Sequence, residues 1–196
     1  MLNAHSAPSE KPNKRADSRR RLLLDEAAAL FCQKGYEGTS IRNIATAVGM
    51  LPGSIYCHFP SKDELFFAVY EEGVARITKR LRSATGGIDD PWACLEAACA
   101  AHMETILDQS VYAKVIVRVQ PRDVPGISAR LVSLRDEYEQ LFRSLIGVVP
   151  TAPGGDPLIF RMLLLGGMNW AQNWYQDSKI PPGEIAGKFV QLLRGG

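Results

Sequence analysis

The side chains best suited to contact a nucleic acid lie in a short segment around residue 54. Ser54 can donate a hydrogen bond to a base edge or a phosphate, or accept one from a base edge, and Gly53 would let the backbone come close to DNA. Ile55 and Phe59 are predicted to point the other way, into a hydrophobic core. The residues that we expect to face a DNA groove are Pro52, Gly53, Ser54, Tyr56 and Cys57.

A helix-turn-helix is the element that would position this segment. Ala45, Gly49 and Ile55 have its spacing, because a small residue lets two helices cross closely and the glycine can take the positive φ of the turn. The isoleucine would then be buried beneath the helix pair. The second helix of such a motif enters the DNA major groove. Ser61 and Glu64 have the spacing of a capping box, which would open the next helix.

Residues 19–67 resemble the DNA-binding domain of the TetR family of bacterial transcriptional regulators. The matching residues are Phe31, Gly35 to Ala45, Gly49, Gly53 to Tyr56, His58, Phe59 and Ser61 to Leu65. The resemblance implies that Tyr56 and His58 bind phosphates and that Lys62 reaches a phosphate from the start of the following helix. Residues at the start of the second helix complete the predicted DNA-binding set: Thr39, Ser40 and Arg42.

The sequence departs from the family pattern at Leu51-Pro52, where many relatives have a Ser or Thr followed by a basic residue. Loss of the capping oxygen costs the helix about 0.5–2 kcal/mol. Pro52 at the first helical position offsets part of this cost, because its φ is already helical. Pro52 also takes the place of a basic residue that could read a base, so we expect thymine-methyl contact or DNA shape to contribute more to specificity.

Positive charge is concentrated in the segment that carries this motif. Residues 1–62 hold nine Lys and Arg against five Asp and Glu, whereas the rest of the chain holds fourteen against sixteen. Excess positive charge on the DNA-reading segment is what phosphate contact requires.

The composition, with 46% hydrophobic and 22% charged residues, is typical of a soluble globular protein. The four cysteines lack the spacing of a secreted disulfide scaffold. Residues 1–18 lack the apolar core of a signal peptide, and no apolar run reaches the ~20 residues of a membrane span. These observations predict a cytoplasmic protein with reduced thiols and no membrane partner.

Hydrophobic periodicity predicts an all-α fold of about nine helices. Residues 1–17 are predicted to be a disordered arm, 18–61 a helix-turn-helix DNA-binding domain, and 62–196 a helical domain that binds an effector and dimerises. The predicted helices cover about 18–33, 40–48, 52–59, 62–82, 91–109, 111–120, 128–146, 157–177 and 182–194.

A homodimer interface is predicted on the last two helices. Helix 8 combines bulky aromatic residues with glycines, and a glycine within a helix, which costs about 1 kcal/mol relative to Ala, is usually compensated by close helix packing. Two helices from each of two subunits would form a four-helix interface. The predicted interface residues are Leu163, Leu164, Gly167, Trp170, Ala171, Trp174, Phe189 and Leu192. Ordinary packing within one chain is the alternative.

An effector pocket within the helical body is implied by the same resemblance. Residues 166–170 and 182–186 are similar to regulators of this family that respond to acyl-CoA esters in lipid or sterol breakdown. An apolar effector, with an acyl-CoA as the candidate, follows from that similarity, and Arg118 or Arg122 would bind its phosphates. The predicted pocket residues are Trp92, Cys99, Met103, Val115, Val119, Tyr138, Phe142, Met162 and Asn169.

Other functional classes find less support in the sequence. Cys99 and His102 are three residues apart and could form half of a zinc site, but no second Cys/His pair accompanies them. No nucleophile elbow and no phosphate-binding glycine loop is present, so we predict no enzymatic activity, no cofactor and no metal. The remaining alternative is a DNA-bound structural or protein-binding factor without a small ligand. A cavity in the helical body would favour the sensor, and a fully packed body would favour this alternative.

Overall fold

A computed structural model describes residues 14–108, 110–150, 156–175 and 179–194 of the chain. The regular secondary structure of this part of the chain is entirely helical, which confirms the predicted all-α class. Its nine α-helices are α1 (Lys14–Lys34), α2 (Ile41–Ala47), α3 (Pro52–Tyr56), α4 (Lys62–Thr85), α5 (Pro91–Ile106), α6 (Val111–Arg118), α7 (Ser128–Ile146), α8 (Pro157–Trp170) and α9 (Pro182–Arg194). Short 3₁₀ turns lie at Pro121–Asp123, Pro125–Ile127 and Ala171–Asn173.

Side-chain caps fix the starts of several helices, and the cap at Ser61 confirms a prediction from the sequence. Ser61 caps α4 by accepting a hydrogen bond from the backbone of Glu64, and Asp90 and Asp156 cap α5 and α8 in the same way. The predicted capping box at α4 is only half formed. The carboxylate of Glu64 instead binds the guanidinium of Arg130 on α7, which ties the start of α4 to the helical body.

Helix ends differ more from the prediction than helix starts. The α3 helix ends at Tyr56 rather than Phe59, because the backbone N–H groups of His58 and Phe59 both donate to the carbonyl of Ile55. The α8 helix ends at Trp170, where the chain tightens into the following 3₁₀ turn.

The α1 helix begins at Lys14, so the last four residues of the predicted disordered arm are helical. The remainder of that arm, 1–13, lies outside the described residues.

Helices α1–α3, which the sequence predicts to bind DNA and which we call the DNA-reading helices, share their hydrophobic core with part of the helical body. Phe31 of α1, Ile44 of α2 and Ile55 of α3 pack in one cluster with the first half of α4. Val115 of α6 and Leu131 of α7 belong to the same cluster. The predicted domain boundary at residue 61 therefore does not separate two hydrophobic cores, because one cluster contains residues from both sides of it.

A second hydrophobic cluster fills the rest of the body. It joins the end of α4 to α5, α7, α8 and α9, with Leu95, Met103 and Phe142 fully buried at its centre. The α4 helix runs through both clusters and crosses α6 at Gly73. A Cβ atom on Gly73 would lie 2.7 Å from Cδ1 of Ile116, so the two helices can approach this closely only because position 73 is glycine.

Candidate functional site

The outer surface of α3 is open, as a DNA-reading helix requires. Pro52, Gly53, Tyr56 and Cys57 are exposed and Ser54 is half-buried. A Cβ atom on Gly53 would have no neighbour within 4 Å, so nothing in the chain obstructs approach to this face. The residues predicted to point inward, Ile55 and Phe59, are both buried, which confirms the orientation of the helix.

The turn between α2 and α3 has the geometry that the spacing predicted. Gly49 has a φ of +65°, a conformation that side-chain-bearing residues rarely adopt. Ala45 is buried at the helix crossing and accepts a hydrogen bond from the backbone of Met50. Leu51 provides no side-chain cap to α3, and Pro52 occupies its first turn.

The start of α2 corrects one predicted DNA contact. Thr39 is buried, and its hydroxyl donates to the carbonyl oxygens of Gly35 and Leu30, so its side chain ties the turn to α1 rather than facing outward. Ser40 is the cap of α2 and forms a reciprocal capping box with Asn43. Arg42 is exposed on the first turn of α2 and stays a predicted DNA contact.

Lys62 lies at the junction of the DNA-reading helices and α4. Its ammonium donates to the carbonyl of Tyr36 at 3.1 Å and lies 4.0 Å from the centroid of the Tyr36 ring. The Tyr36 hydroxyl in turn donates to Asp63. Burial, and then the hydrogen bond to Asp63, raise the pKa of Tyr36, so this hydroxyl remains a donor. Lys62 is thus held in place by the turn that follows α1. His58, which lies between α3 and Lys62 along the chain, is half-buried.

A cavity of about 1040 Å³ lies in the helical body. It reaches the upper size range of small-molecule sites, about 300–1,000 Å³. Its wall is formed by α4, α5, α6, α7 and α8 and by the 3₁₀ turn after α8. The lining residues are Tyr70, Val74, Ile77, His102, Ile106, Leu107, Asp108, Lys114, Ile116, Val117, Arg118, Gln120, Arg135, Tyr138, Glu139, Leu165, Asn169, Gln172, Asn173 and Tyr175.

The wall combines apolar side chains with cations. Lys114, Arg118 and Arg135 provide positive charge, and Asp108 and Glu139 provide negative charge. The guanidinium of Arg118 also donates to the carbonyl of Cys32 in α1 at 3.1 Å, which links the cavity wall to the DNA-reading half. Arg122, the other predicted phosphate partner, is exposed on a 3₁₀ turn and is not part of the wall.

Two of the predicted pocket residues line the cavity, Tyr138 and Asn169. The others are corrected by the structure. Met162 is exposed on the outer surface of α8, and the rest lie in the hydrophobic clusters, where helix packing rather than a ligand covers them: Trp92, Cys99, Met103, Val115, Val119 and Phe142.

Sequence reasoning named Arg118, Tyr138 and Asn169 but missed the other polar residues of the wall. Arg135 precedes the predicted Tyr138 by three residues on α7, and this i, i+3 spacing is a signal that identifies it as a neighbour on the same helix face. Gln172 and Asn173 lie in the 3₁₀ turn that the sequence assigned to a continuing helix 8. For Lys114 we find no comparable signal.

His102 is a buried ionisable group of the cavity wall. Its Nδ1 lies 2.8 Å from the Tyr138 hydroxyl and its Nε2 lies 3.1 Å from Oδ1 of Asn169. The partners of His102 are therefore polar side chains from α7 and α8 rather than Cys99. Burial lowers the pKa of His102 to about 4, so the ring is neutral at pH 7.

This lowered pKa predicts a specific loss of stability in acid. His102 has a folded pKa of about 4 against an ordinary 6.5, so its neutral form contributes stability above pH 6.5 that is lost as the pH falls towards 4. At pH 5 the loss from this one group is about 2 kcal/mol. We expect the free energy of unfolding, measured in urea, to fall between pH 7.5 and pH 5 by about 2 kcal/mol more in the wild type than in His102→Gln.

His102→Gln is the matched variant because an amide can still hydrogen-bond to Tyr138 and Asn169 but does not titrate. His58 remains in both proteins and cancels in the comparison. Equal losses in the two proteins would show that His102 does not titrate as its burial requires.

The outer surface of α8 carries a stripe of exposed apolar residues. Leu163 is 60% exposed and Trp170 is 66% exposed, and Leu192 of α9 is 77% exposed. Ile159, Met162 and Trp174 extend the exposed apolar surface. Monomeric proteins rarely leave such contiguous apolar surface in water, so this surface fits a protein interface.

Four predicted interface residues are corrected in part by the structure. Leu164 and Ala171 are fully buried within the chain, because they lie on the side of α8 that packs on the second cluster. A Cβ atom on Gly167 would lie 2.7 Å from the half-buried Phe189 ring, so these two residues pack α8 against α9 of the same chain. Gly166, by contrast, has open space on the exposed stripe.

Other site types find no support in the described part of the chain. Among its residues, no group of three or more His, Cys, Asp or Glu side chains could hold a metal ion. None of the helices described is both long enough and apolar enough to cross a membrane. The four cysteines are free thiols, and burial raises the pKa of Cys99 to about 12.

Comparison with known proteins identifies relatives over most of the chain. KstR2 from Rhodococcus jostii, an HTH-type transcriptional repressor, is 36% identical over 187 residues, covering 91% of this chain and 90% of that protein. KstR2 from Mycobacterium tuberculosis is 32% identical over 133 residues, covering 68% of this chain and 66% of that protein, just under two thirds of its length.

Solved structures share the fold. The superantigen PfiT has a TM-score of 0.80 and 30% identity, covering 90% of this chain and 96% of that one. AibR, solved in complex with isovaleryl coenzyme A and operator DNA, has a TM-score of 0.78 and 24% identity, covering 90% and 98%.

Two family models match the chain. Residues 23–69 match the model of bacterial regulatory proteins of the tetR family, and this range contains the whole helix-turn-helix. Residues 89–196, more than half of the chain, match the tetracyclin repressor-like C-terminal domain. The chain therefore belongs to the TetR family of bacterial transcriptional regulators.

Proposed function

We propose that this regulator is a cytoplasmic homodimeric repressor that binds a palindromic operator and is released from it by an acyl-CoA. The observation that carries the proposal is the cavity of about 1040 Å³, whose wall contacts the core of the DNA-reading helices. A DNA-bound structural or protein-binding factor, the alternative, has no need of such a cavity. Two copies related by a two-fold axis would present two α3 helices about 34–36 Å apart, the spacing of successive major grooves.

The chemistry of the wall supports an acyl-CoA as effector. Apolar side chains such as Val74, Ile77 and Leu165 suit an acyl group. Arg118 and Arg135 are cations that suit phosphates. AibR, which shares the fold, was solved with isovaleryl coenzyme A and operator DNA together, so this architecture can hold both kinds of partner.

The same contacts provide a route from the cavity to the DNA surface. Ile116 lines the cavity and abuts Gly73 of α4, and Arg118 lines the cavity and bonds to α1. A ligand that moves α6 would therefore move α1 and α4, which together set the position of α3. Changing the distance between the two α3 helices of a dimer would weaken its fit to the operator.

Operator-release titration tests the proposal. A ligand that prefers the misfit state by about 2.7 kcal/mol lowers operator affinity roughly 100-fold, and the operator must lower ligand affinity by the same factor. We expect long-chain or polycyclic acyl-CoAs to have this effect, measured by fluorescence anisotropy on a labelled operator. Free acids and free coenzyme A are the controls, and neither should release the DNA at the same concentrations.

Two results would contradict parts of this proposal. If no acyl-CoA changes operator affinity at saturating concentration, the acyl-CoA assignment fails. If an acyl-CoA binds with equal affinity to free and operator-bound protein, it is not the effector, because a ligand without differential affinity shifts no equilibrium.

A further inference from the structure

Three polar side chains form a small hydrogen-bonded group on the cavity wall, which we call the polar corner: His102 of α5, Tyr138 of α7 and Asn169 of α8. They come from three different helices, so the fold rather than local sequence brings them together. Their apolar surroundings include Leu165 on the wall and Phe142, whose ring lies edge-on to the His102 ring at 5.6 Å. Polar groups in such surroundings are stabilised only when they are hydrogen-bonded.

The Asn169 oxygen that faces the His102 ring sets the direction of each hydrogen bond. Oδ1 of Asn169 can only accept, so Nε2 of His102 carries the proton and donates to it. In a neutral ring Nδ1 then carries no proton and accepts from the Tyr138 hydroxyl. Burial raises the pKa of Tyr138, which keeps that hydroxyl protonated.

This chain of hydrogen bonds leaves a donor for a ligand. The oxygen of the Asn169 amide is engaged, and its two Nδ2 hydrogens have no hydrogen-bond partner among the described residues. Asn169 is exposed and lines the cavity, so these hydrogens are accessible to a bound molecule. The polar corner therefore presents an oriented N–H donor, held by His102, to whatever fills the cavity.

The donor is also uncharged. The low pKa of His102 keeps the ring neutral at pH 7, and neither Tyr138 nor Asn169 carries charge. A neutral donor suits a neutral acceptor such as a carbonyl oxygen. A carboxylate is better matched by a cation, because hydrogen bonds between ionised partners are roughly twice as strong as neutral ones.

We propose that the polar corner binds the thioester carbonyl oxygen of the acyl-CoA, with the Nδ2 hydrogens of Asn169 as the donor. The inference rests on the proposed function and adds a recognition element to it. The thioester carbonyl is a neutral acceptor at the point where the apolar acyl chain joins the coenzyme, and every acyl-CoA carries it. An N–H donor at this position distinguishes a thioester from a molecule with the same chain and coenzyme but no carbonyl.

A matched pair of ligands tests this inference. One is an acyl-CoA that releases the operator, and the other is its S-alkyl-CoA thioether, in which a methylene replaces the carbonyl. We expect the wild type to need about tenfold more thioether than thioester for half-release, which corresponds to about 1.4 kcal/mol. Asn169→Leu should weaken the response to the thioester by the same factor and leave the response to the thioether unchanged.

Asn173→Leu is the comparison variant. Asn173 also lines the cavity, but its Nδ2 donates to the backbone carbonyl of Trp170 at 3.2 Å, so we expect the ratio of thioester to thioether response to stay at the wild-type value. Operator affinity without ligand verifies that each variant is folded. If a variant does not fold, the wild-type comparison still tests whether the carbonyl is recognised.

The outcomes separate this inference from the function on which it rests. Equal half-release by thioester and thioether in the wild type would overturn carbonyl recognition while leaving acyl-CoA release intact. An unchanged thioester response in Asn169→Leu would also overturn it. If neither ligand releases the operator at saturation, the proposed function itself fails and the polar corner has no acyl-CoA to recognise.

Discussion

Leu163→Glu is expected to make the protein monomeric at micromolar concentration and to lower its operator affinity by roughly 100-fold or more. Leu163 is 60% exposed in the middle of the apolar stripe on α8, where a partner subunit would bury it. A buried unpaired carboxylate in an interface costs several kcal/mol, enough to separate a dimer. A monomer reads one half-site at a time and loses the high effective concentration of the second reading helix. Analytical ultracentrifugation and operator binding measure the two effects.

Val132→Glu is the control for this variant. Val132 is also an exposed apolar residue, 43% exposed on α7, but it is not part of the α8 and α9 stripe. The Val132→Glu substitution should leave both the sedimentation of the protein and its operator affinity unchanged. A dimeric Leu163→Glu protein with full operator affinity would remove the α8 stripe from the proposed interface.

Gly53→Glu should reduce operator binding by roughly 100-fold or more while the protein stays folded and dimeric. Position 53 is exposed and open, so a longer side chain meets nothing in the chain itself. On DNA, the same side chain would place bulk and negative charge where the α3 backbone is proposed to approach a phosphate-lined groove. Electrophoretic mobility shift and circular dichroism separate the loss of binding from any loss of structure.

Gly53→Lys is the matched variant, because it adds similar bulk with the opposite charge. Position 53 is in the first turn of α3, where the helix dipole favours Glu over Lys for folding. DNA favours the reverse order, since phosphates repel Glu and attract Lys. Stability and DNA affinity should therefore rank the two variants in opposite orders. The same affinity for both would indicate that position 53 lies away from the phosphates.

Local signals predicted the DNA-reading half well. Gly49 and Ile55 have sequence signatures that act over a few residues, through positive φ and through burial beneath the helix pair. The same holds for Ser61, whose capping role depends on Glu64 three positions along the chain. Thr39 is the exception, because its partners are carbonyl oxygens of Gly35 and Leu30 that are available only after α1 has packed.

The effector half was predicted less completely, because a cavity is a property of the space between helices. Phe142 and Tyr138 are both aromatic residues on α7, yet Phe142 is fully buried in packed core and Tyr138 lines the cavity. Residue type and helical spacing do not distinguish these two environments. His102 is a further example, since its partners are 36 and 67 residues away along the chain and no local pattern joins them.

The single core shared by α1–α4, α6 and the start of α7 has a consequence for engineering. A graft that moves residues 14–61 onto a foreign sensor would separate Phe31 and Ile44 from Val115 and Leu131, which belong to the same hydrophobic cluster, and so leave part of that cluster uncovered. Such a chimera should therefore bind dyes for exposed apolar surface and show fast amide exchange in α1 unless the donor's α6 travels with it. Natural recombination between regulators would meet the same restriction, because the segment that can be exchanged without uncovering this core is longer than the helix-turn-helix.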